Sequence, residues 1–111
     1  METKIAVTAL AALAQETRLA AYRLLVQAGE AGLAAGEIAE NLGVPPATLS
    51  FHLKELAQAG LVTNHSAGRF VIYHADFAAM HDLIGYLSEN CCGSGPAACA
   101  PASLKACKEC A

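Results

Sequence analysis

The sequence predicts a single small domain that is mainly α-helical and contains one β-hairpin. The length of 111 residues is about that of one domain. Hydrophobic residues make up 55% of the chain, and they recur at helical spacing over most of its first half. Farther on, two runs rich in β-branched and aromatic residues flank a glycine-containing turn, a pattern that is typical of a hairpin.

The first half of the chain is expected to form four helices. From Lys4 to Gly29 the apolar residues keep helical spacing, with a break at Gln15–Thr17 that divides the stretch into two helices. Ala35–Leu42 is predicted to be a short third helix that ends at Gly43. A fourth helix opens on two prolines, which a helix tolerates in its first turn, and is expected to end at Gly60.

A hairpin and a last helix follow. The strands are predicted around Leu61–Thr63 and Phe70–Tyr73, with the turn at Ser66–Gly68. Asp76 is a good N-cap residue for a final helix over Phe77–Leu87. We therefore predict one folded domain over residues 1–90.

Residues 91–111 have a different composition and are predicted to be a separate cysteine-rich tail. All five cysteines of the chain lie in this segment, so none supports the predicted core. Near the N-terminus, Ile5–Ala14 imitates a signal peptide, but it is followed at once by a charged stretch and another helical pattern. No apolar run reaches the ~18 residues of a membrane span. We therefore expect a cytoplasmic protein without a membrane partner, in which thiols stay reduced and metal or redox chemistry is favoured over structural disulfides.

The third and fourth helices fit a helix-turn-helix. Such a pair needs a small residue where the helices approach, which Ala39 supplies, and a residue that accepts positive φ in the turn, which Gly43 supplies. It also needs apolar anchors on both inner faces, and these are present: Ile38, Leu42, Val44, Leu49 and Leu53. With the hairpin behind it, the arrangement is a winged helix-turn-helix; without it, an ordinary packed helix pair with a solvated face would fit as well.

The fourth helix carries the predicted DNA-binding side chains. Thr48, Ser50, His52 and Lys54 are expected to form one polar face, with donors suited to base edges and phosphates in a major groove. Arg69, just past the hairpin turn, is placed to reach a flanking phosphate or the minor groove.

The net charge of −3 argues against nucleic acid, but the charges are unevenly placed. Between Val44 and His74 the only charged residues are two cations and one carboxylate, so the acidity lies elsewhere. The face is still weakly basic. A homodimer that spaces two such helices about one turn of DNA apart would compensate, and the apolar first and last helices offer its surface.

Three stretches make the sequence similar to the ArsR/SmtB family of metal-responsive repressors. They are Leu13–Leu19, Ser50–Val62 and Gly68–Tyr73. The resemblance covers about Ile5 to Asn90. It implies a homodimeric winged helix that represses an operator in double-stranded DNA, needs no cofactor to do so, and dissociates when an inducer binds. It also implies that the four polar residues of the fourth helix face DNA and that Arg69 lies in the wing.

The resemblance leaves the inducer open. Some family members use a Cys-x-Cys pair in the helix before the recognition helix, and this helix has no cysteine here. Others use carboxylate and histidine ligands along the last helix, where Asp76, His81 and Asp82 are present but a second ligand-spaced histidine is missing. The tail remains. Cys91, Cys92 and Cys99 resemble the C-terminal arsenite site of one branch, since soft thiolates select thiophilic ions. As(III), or Sb(III), is the expected inducer.

The additional Cys107 and Cys110 could form a second binding site, a redox pair or a docking point for a metallochaperone. Four cysteines could instead hold zinc. The alternatives to metalloid sensing are therefore sensing of a divalent soft metal and sensing of thiol oxidation. An enzyme is not expected: Cys107-x-x-Cys110 lacks the βαβ context of thiol oxidoreductases, and neither a nucleophile–base set nor a phosphate-binding loop occurs. A winged helix that binds only protein is a third class.

Overall fold

A computed structural model describes residues 1–91 of the chain. Cys92, Cys99, Cys107 and Cys110 lie outside the described residues. The described part contains five α-helices and three strands, in the following order. They are α1 (Thr3–Leu13), α2 (Glu16–Ala28), β1 (Leu33–Ala34), α3 (Ala35–Leu42), α4 (Pro46–Gln58), β2 (Val62–Ala67), β3 (Phe70–Ala75) and α5 (Phe77–Leu87), with a short 3₁₀ turn at Gly29–Ala31.

The predicted fold class, mainly α with a β-hairpin in a winged helix-turn-helix, is confirmed. The helix boundaries follow the predicted signals. At the start of α2 the side chain of Gln15 accepts a hydrogen bond from the Arg18 N–H at 2.8 Å. Asp76 caps α5 in the same way, accepting from the Ala79 N–H at 3.1 Å. Helix α3 ends at Gly43, whose φ of 66° is the left-handed conformation expected there.

The end of α4 and the hairpin differ from the prediction. Helix α4 stops at Gln58 with Ala59 as its C-cap, two residues before Gly60. The strands extend to Ala67 and Ala75, so the turn contains only Gly68 and Arg69 rather than Ser66–Gly68. Beyond Thr63, strand β2 is exposed and mostly polar, because β2 is an edge strand that faces water. Its residues therefore show no apolar pattern from which the length of the strand could be predicted.

Strand β1 was missed because two residues are too few to show a period. It makes the sheet three-stranded and antiparallel, in the order β1-β3-β2, with Leu33 opposite Tyr73 and Ala34 opposite Ile72. The close approach depends on Gly32, which has a φ of 69°. A Cβ at this position would contact the Tyr73 carbonyl oxygen and lie 2.7 Å from His74 Nδ1.

The core lies where α2, α3 and α4 meet the start of β2. Its largest side chains with less than 2% exposure are Leu25, Ile38, Leu49, Leu53, Leu56 and Leu61. Of the predicted helix-turn-helix anchors, Leu42 and Val44 are half-buried and pack against this cluster. In residues 1–91 no helix is both long enough and apolar enough to traverse a membrane.

Gly32 and Gly29 allow a matched test of the β1–β3 contact. Both glycines have a φ near 68°, but the space around a Cβ at Gly29 is open. Both alanine variants share the conformational strain, and only Gly32→Ala adds the clash with β3. We expect Gly32→Ala to lower the free energy of unfolding by about 1–3 kcal/mol more than Gly29→Ala does, measured by urea denaturation. Equal losses would contradict the close approach.

Candidate nucleic-acid interface

Helix α4 is held by its inward face and by the turn that precedes it. Leu49, Leu53 and Leu56 are at most 1% exposed. In the turn, the Val44 N–H donates to the Ala39 carbonyl at 3.2 Å, and the Leu49 N–H donates to the Pro45 carbonyl at 3.0 Å. The orientation of α4 about its own axis is thereby fixed, and so is the set of side chains that faces away from the protein.

The predicted polar face of α4 is divided between two flanks of the helix. Residues four apart share a face because successive residues are about 100° apart around the axis. Thr48 and His52 therefore lie on one flank, and Ser50 and Lys54 lie toward the other. The single face formed by all four residues was a wrong expectation, since their spacing of two is a strand period. Thr48, Ser50 and Lys54 are exposed, and their DNA contacts stay a prediction.

The outward ridge of α4 runs between these flanks. Its residues follow helical spacing and are all exposed: Ala47, Phe51, Lys54 and Gln58. Only Lys54 belongs to the predicted set. Phe51, 57% exposed, was missed by the sequence reasoning. The signal was available, because placing Leu49 and Leu53 inward puts position 51 outward.

His52 is half-buried and tied to α2. Its Nδ1 lies 3.3 Å from the Arg18 Nη1. A guanidinium only donates, so Nδ1 of His52 accepts this hydrogen bond. Nε of Arg18 donates to the Ala12 carbonyl at 2.6 Å, in the last turns of α1. His52 thus connects the recognition helix to α1 and α2 through Arg18, and a direct contact of its imidazole with DNA remains a prediction.

The hairpin forms a wing with Arg69 at its tip. Arg69 is exposed, and the strand residues Phe70 and Val71 beside it are 63% and 38% exposed. Farther along the wing, the imidazoles of His65 and His74 stack with ring centroids 4.9 Å apart, and Nε2 of His74 lies 3.0 Å from Nδ1 of His65. One ring donates and the other accepts in this hydrogen bond.

A second exposed surface of the described domain is apolar. On α1 the small residues Ala6, Ala9 and Ala12 are buried, whereas large side chains point outward. The exposed large apolar residues of α1 and α5 are Ile5, Val7, Leu10, Ile84 and Leu87. The two helices are in contact, and a hydrogen bond of 2.6 Å joins the hydroxyls of Thr3 and Tyr86.

The core beneath these surfaces contains the titratable side chain of Tyr22. Burial, and secondarily the nearby carboxylate of Asp76, raise the pKa of Tyr22 above its ordinary value of 10.0. Its hydroxyl is buried without a hydrogen-bond partner among the described residues. The phenol therefore stays neutral at physiological pH and adds no charge beneath the apolar surface.

Metal ligands are sparse in residues 1–91, which contain no group of three His, Cys, Asp or Glu side chains arranged to hold an ion. His81 and Asp82 are exposed on α5. Cys91 is half-buried just beyond α5, and its N–H donates to the Ser88 carbonyl at 3.1 Å. The remaining members of the predicted site, Cys92 and Cys99, and the additional pair Cys107 and Cys110 lie outside the described residues.

A helix-turn-helix that buries one face of α4 and exposes the other, followed by a basic-tipped wing, defines the class of winged helix-turn-helix proteins. The helix-turn-helix domain family matches residues 13–65 of the chain. The transcriptional repressor SdpR of Bacillus subtilis is 31% identical over 55 residues, which are 50% of this chain and 61% of SdpR. The chain thus covers 61% of the length of this relative.

Solved structures extend the likeness to most of the described domain. An ArsR-like transcriptional regulator from Rhodococcus sp. RHA1 has a TM-score of 0.67 and 29% identity, with 77% of each chain covered. HlyU from Vibrio cholerae has a TM-score of 0.62 and 32% identity over 78% of this chain and 97% of HlyU.

The homodimeric winged helix-turn-helix DNA-binding domain Mb0332 from Mycobacterium bovis has a TM-score of 0.62 and 28% identity, covering 78% of this chain and 81% of its own. The chain belongs to the ArsR family of winged helix-turn-helix transcriptional regulators.

The contacts of Arg18 can be tested against Arg23, an exposed arginine on the same helix. Arg18→Ala removes the donors to the Ala12 carbonyl and to His52, and leaves both acceptors without these partners. We expect it to lower the free energy of unfolding by about 1–3 kcal/mol in urea denaturation. Arg23→Ala should change it by less than about 0.5 kcal/mol. A similar effect of both substitutions would show that the Arg18 contacts contribute no stability.

Proposed function

We propose that the protein is a transcriptional repressor that binds double-stranded operator DNA as a homodimer. The observation that supports this most is the orientation of α4: its leucines are in the core, and its outward ridge with Lys54 is free to enter a major groove. Arg69 at the wing tip is placed for a flanking phosphate or the minor groove. The repressor SdpR and the DNA-binding domain Mb0332 are relatives of this kind.

The homodimer is supported by the apolar surface of α1 and α5. Several exposed large apolar side chains on two helices that contact each other are typical of an interaction site. A single recognition surface with one lysine and one arginine is also too weakly charged to bind DNA tightly, since phosphate contacts supply much of the affinity. Two copies related by a twofold axis double the contacts, and Mb0332 is itself homodimeric.

The proposed inducer is As(III), with Sb(III) as the close chemical alternative, bound by the thiolates of Cys91, Cys92 and Cys99. Three soft sulfur ligands suit a trivalent metalloid. The first of them, Cys91, lies four positions after the last residue of α5, one of the two helices that form the proposed dimer surface. Closing the three thiolates on one ion would change the end of that helix. A repressor needs about 5 kcal/mol of differential binding to shift from mostly DNA-competent to mostly incompetent.

The competing proposal is that the tail senses a divalent soft metal such as Cd(II), Pb(II) or Zn(II), or thiol oxidation. Either alternative would use cysteines of the same tail. A metal site of four sulfurs would take Cys91 or Cys92 together with Cys99, Cys107 and Cys110. In either case the protein acts without catalysis, DNA binding requires no cofactor, and the site of action is the cytoplasm.

The wing is tested by Arg69→Ala. A duplex selected by the protein from a random double-stranded pool serves as the operator, and affinity is measured by gel shift over a series of salt concentrations. We expect weaker binding at every salt concentration and a log–log salt slope that is less steep by about 1 for each wing that contacts a phosphate. Arg23→Ala, which removes an exposed arginine of α2 outside the wing and α4, is the control and should behave as the wild type. An unchanged slope in Arg69→Ala would exclude the wing contact.

The inducer site is tested by Cys99→Ser in the same gel shift, titrated with arsenite under reducing conditions. We expect full operator binding but a loss of arsenite-dependent release, since two thiolates cannot complete the pyramidal site. In this reaction three As–S bonds form while the three hydroxyl groups of As(OH)₃ leave as water with the three thiol protons. Cys110→Ser is the matched control. If it also abolishes release while Zn(II) releases the wild type, a four-cysteine metal site replaces this proposal.

A further inference from the structure

Phe51 occupies an unusual position for a large aromatic side chain. It lies in the middle of the outward ridge of α4 and is 57% exposed, while Leu49 and Leu53 on the same helix are at most 1% exposed. Neither packing within the fold nor the proposed phosphate contacts explain why this aromatic side chain is exposed. In the ridge it is preceded by Ala47 and followed by Lys54, both exposed.

The surroundings of Phe51 fit nucleic acid better than an apolar protein surface. Hydroxyl groups of Thr48 and Ser50 flank it on both sides, and the ammonium group of Lys54 lies one turn farther along the helix. A protein partner that buried Phe51 would also have to desolvate Lys54, which is costly without a paired carboxylate. A DNA groove offers phosphates for the lysine at the same time.

The major groove contains one apolar group, the C5-methyl of thymine, and phenylalanine is among the side chains that contact it. Alanine also makes such contacts, and Ala47 precedes Phe51 on the ridge by one turn. The groove therefore offers an apolar partner for the aromatic ring and polar partners for its neighbours.

The ring of Phe51 is also held in place before any DNA binds. It makes an edge contact with the His52 imidazole, with centroids 5.6 Å apart and planes at 62°. His52 is in turn fixed by the guanidinium of Arg18 at 3.3 Å. An aromatic side chain supported in this way has less conformational freedom to lose on contact with a base.

We infer that Phe51 is a specificity-determining residue that contacts the methyl group of one thymine in each operator half-site. The inference rests on the proposed function and adds to it the kind of base that the recognition helix distinguishes.

The test replaces thymines by deoxyuridine, one symmetry-related pair at a time, in the duplex selected by the wild-type protein from the random pool. Deoxyuridine keeps the base-pairing edge and removes only the methyl group. We expect one pair of substitutions to weaken wild-type binding by about fourfold for each buried methyl group. Phe51→Ala should bind more weakly overall and should no longer distinguish thymine from deoxyuridine at that position.

Two further variants make the result specific. Phe51→Leu keeps an apolar side chain and should retain a smaller thymine preference, which excludes a general effect on folding. Phe70→Ala removes the same side chain from the exposed wing strand, and its thymine preference should equal that of the wild type. The inference is overturned if the wild type tolerates deoxyuridine at every position, or if Phe51→Ala keeps the full preference. Failure of the wild type to enrich any duplex would instead reject the proposed function, and the inference with it.

Discussion

Leu49, Leu53 and Leu56 enter the core from one side of α4, and their burial determines the direction of every other side chain on that helix. Full burial of a leucine is worth about 1.5–3 kcal/mol, so rotation of α4 about its axis would forfeit several kilocalories per mole. The preceding turn, with its hydrogen bonds from Val44 and Leu49, adds a fixed starting point. The surface that α4 presents to solvent is therefore set by the hydrophobic effect inside the domain, even though its proposed role is polar recognition outside it.

Arg18 joins three helices at one point. The Ala12 carbonyl lies in the last turn of α1, where carbonyl groups lack helical partners, and a cation at a helix C-terminus also interacts favourably with the helix dipole. The same guanidinium reaches His52 on α4. A displacement of α1, which forms part of the proposed dimer surface, would therefore move Arg18 and its partner His52 on α4. Through this contact α1, which is hydrogen-bonded to α5, is physically connected to the proposed DNA-binding helix.

Signals from neighbouring residues predicted the helices and the hairpin of this fold. Contacts between residues far apart in sequence could not be predicted from such signals. Gly43 and Asp76 act where their chemistry indicated, and the predicted break at Gln15–Thr17 separates α1 from α2, because such signals depend on neighbours a few residues away. Strand β1 exists only because β3 pairs with it, and the hairpin strands lengthen through the same pairing.

At the candidate site Lys54 and Arg69 are exposed and their DNA contacts stay a prediction, whereas the four polar residues of α4 do not share a common face. The expectation of a common face came from weighing residue chemistry above helical period. The same period, applied to the leucines, would have placed Phe51 outward and His52 at the edge of the buried face. The contact between His52 and Arg18 spans 34 positions in sequence and could not have been found from either residue alone.

Helix α1 buries small side chains and exposes large apolar ones, which is the reverse of an ordinary surface helix. Ala6, Ala9 and Ala12 are buried in the protomer's own core, whereas Ile5, Val7 and Leu10 are 51%, 58% and 41% exposed. Small residues contribute little when they are buried, so the protomer gains only weak stabilisation from this helix, and most of its apolar area becomes useful when a second copy covers it. In the proposed dimer, stability therefore rises with protein concentration by mass action. A cell that makes little of this protein would hold it in a less stable form, and the amount of regulator would itself set how long each copy survives.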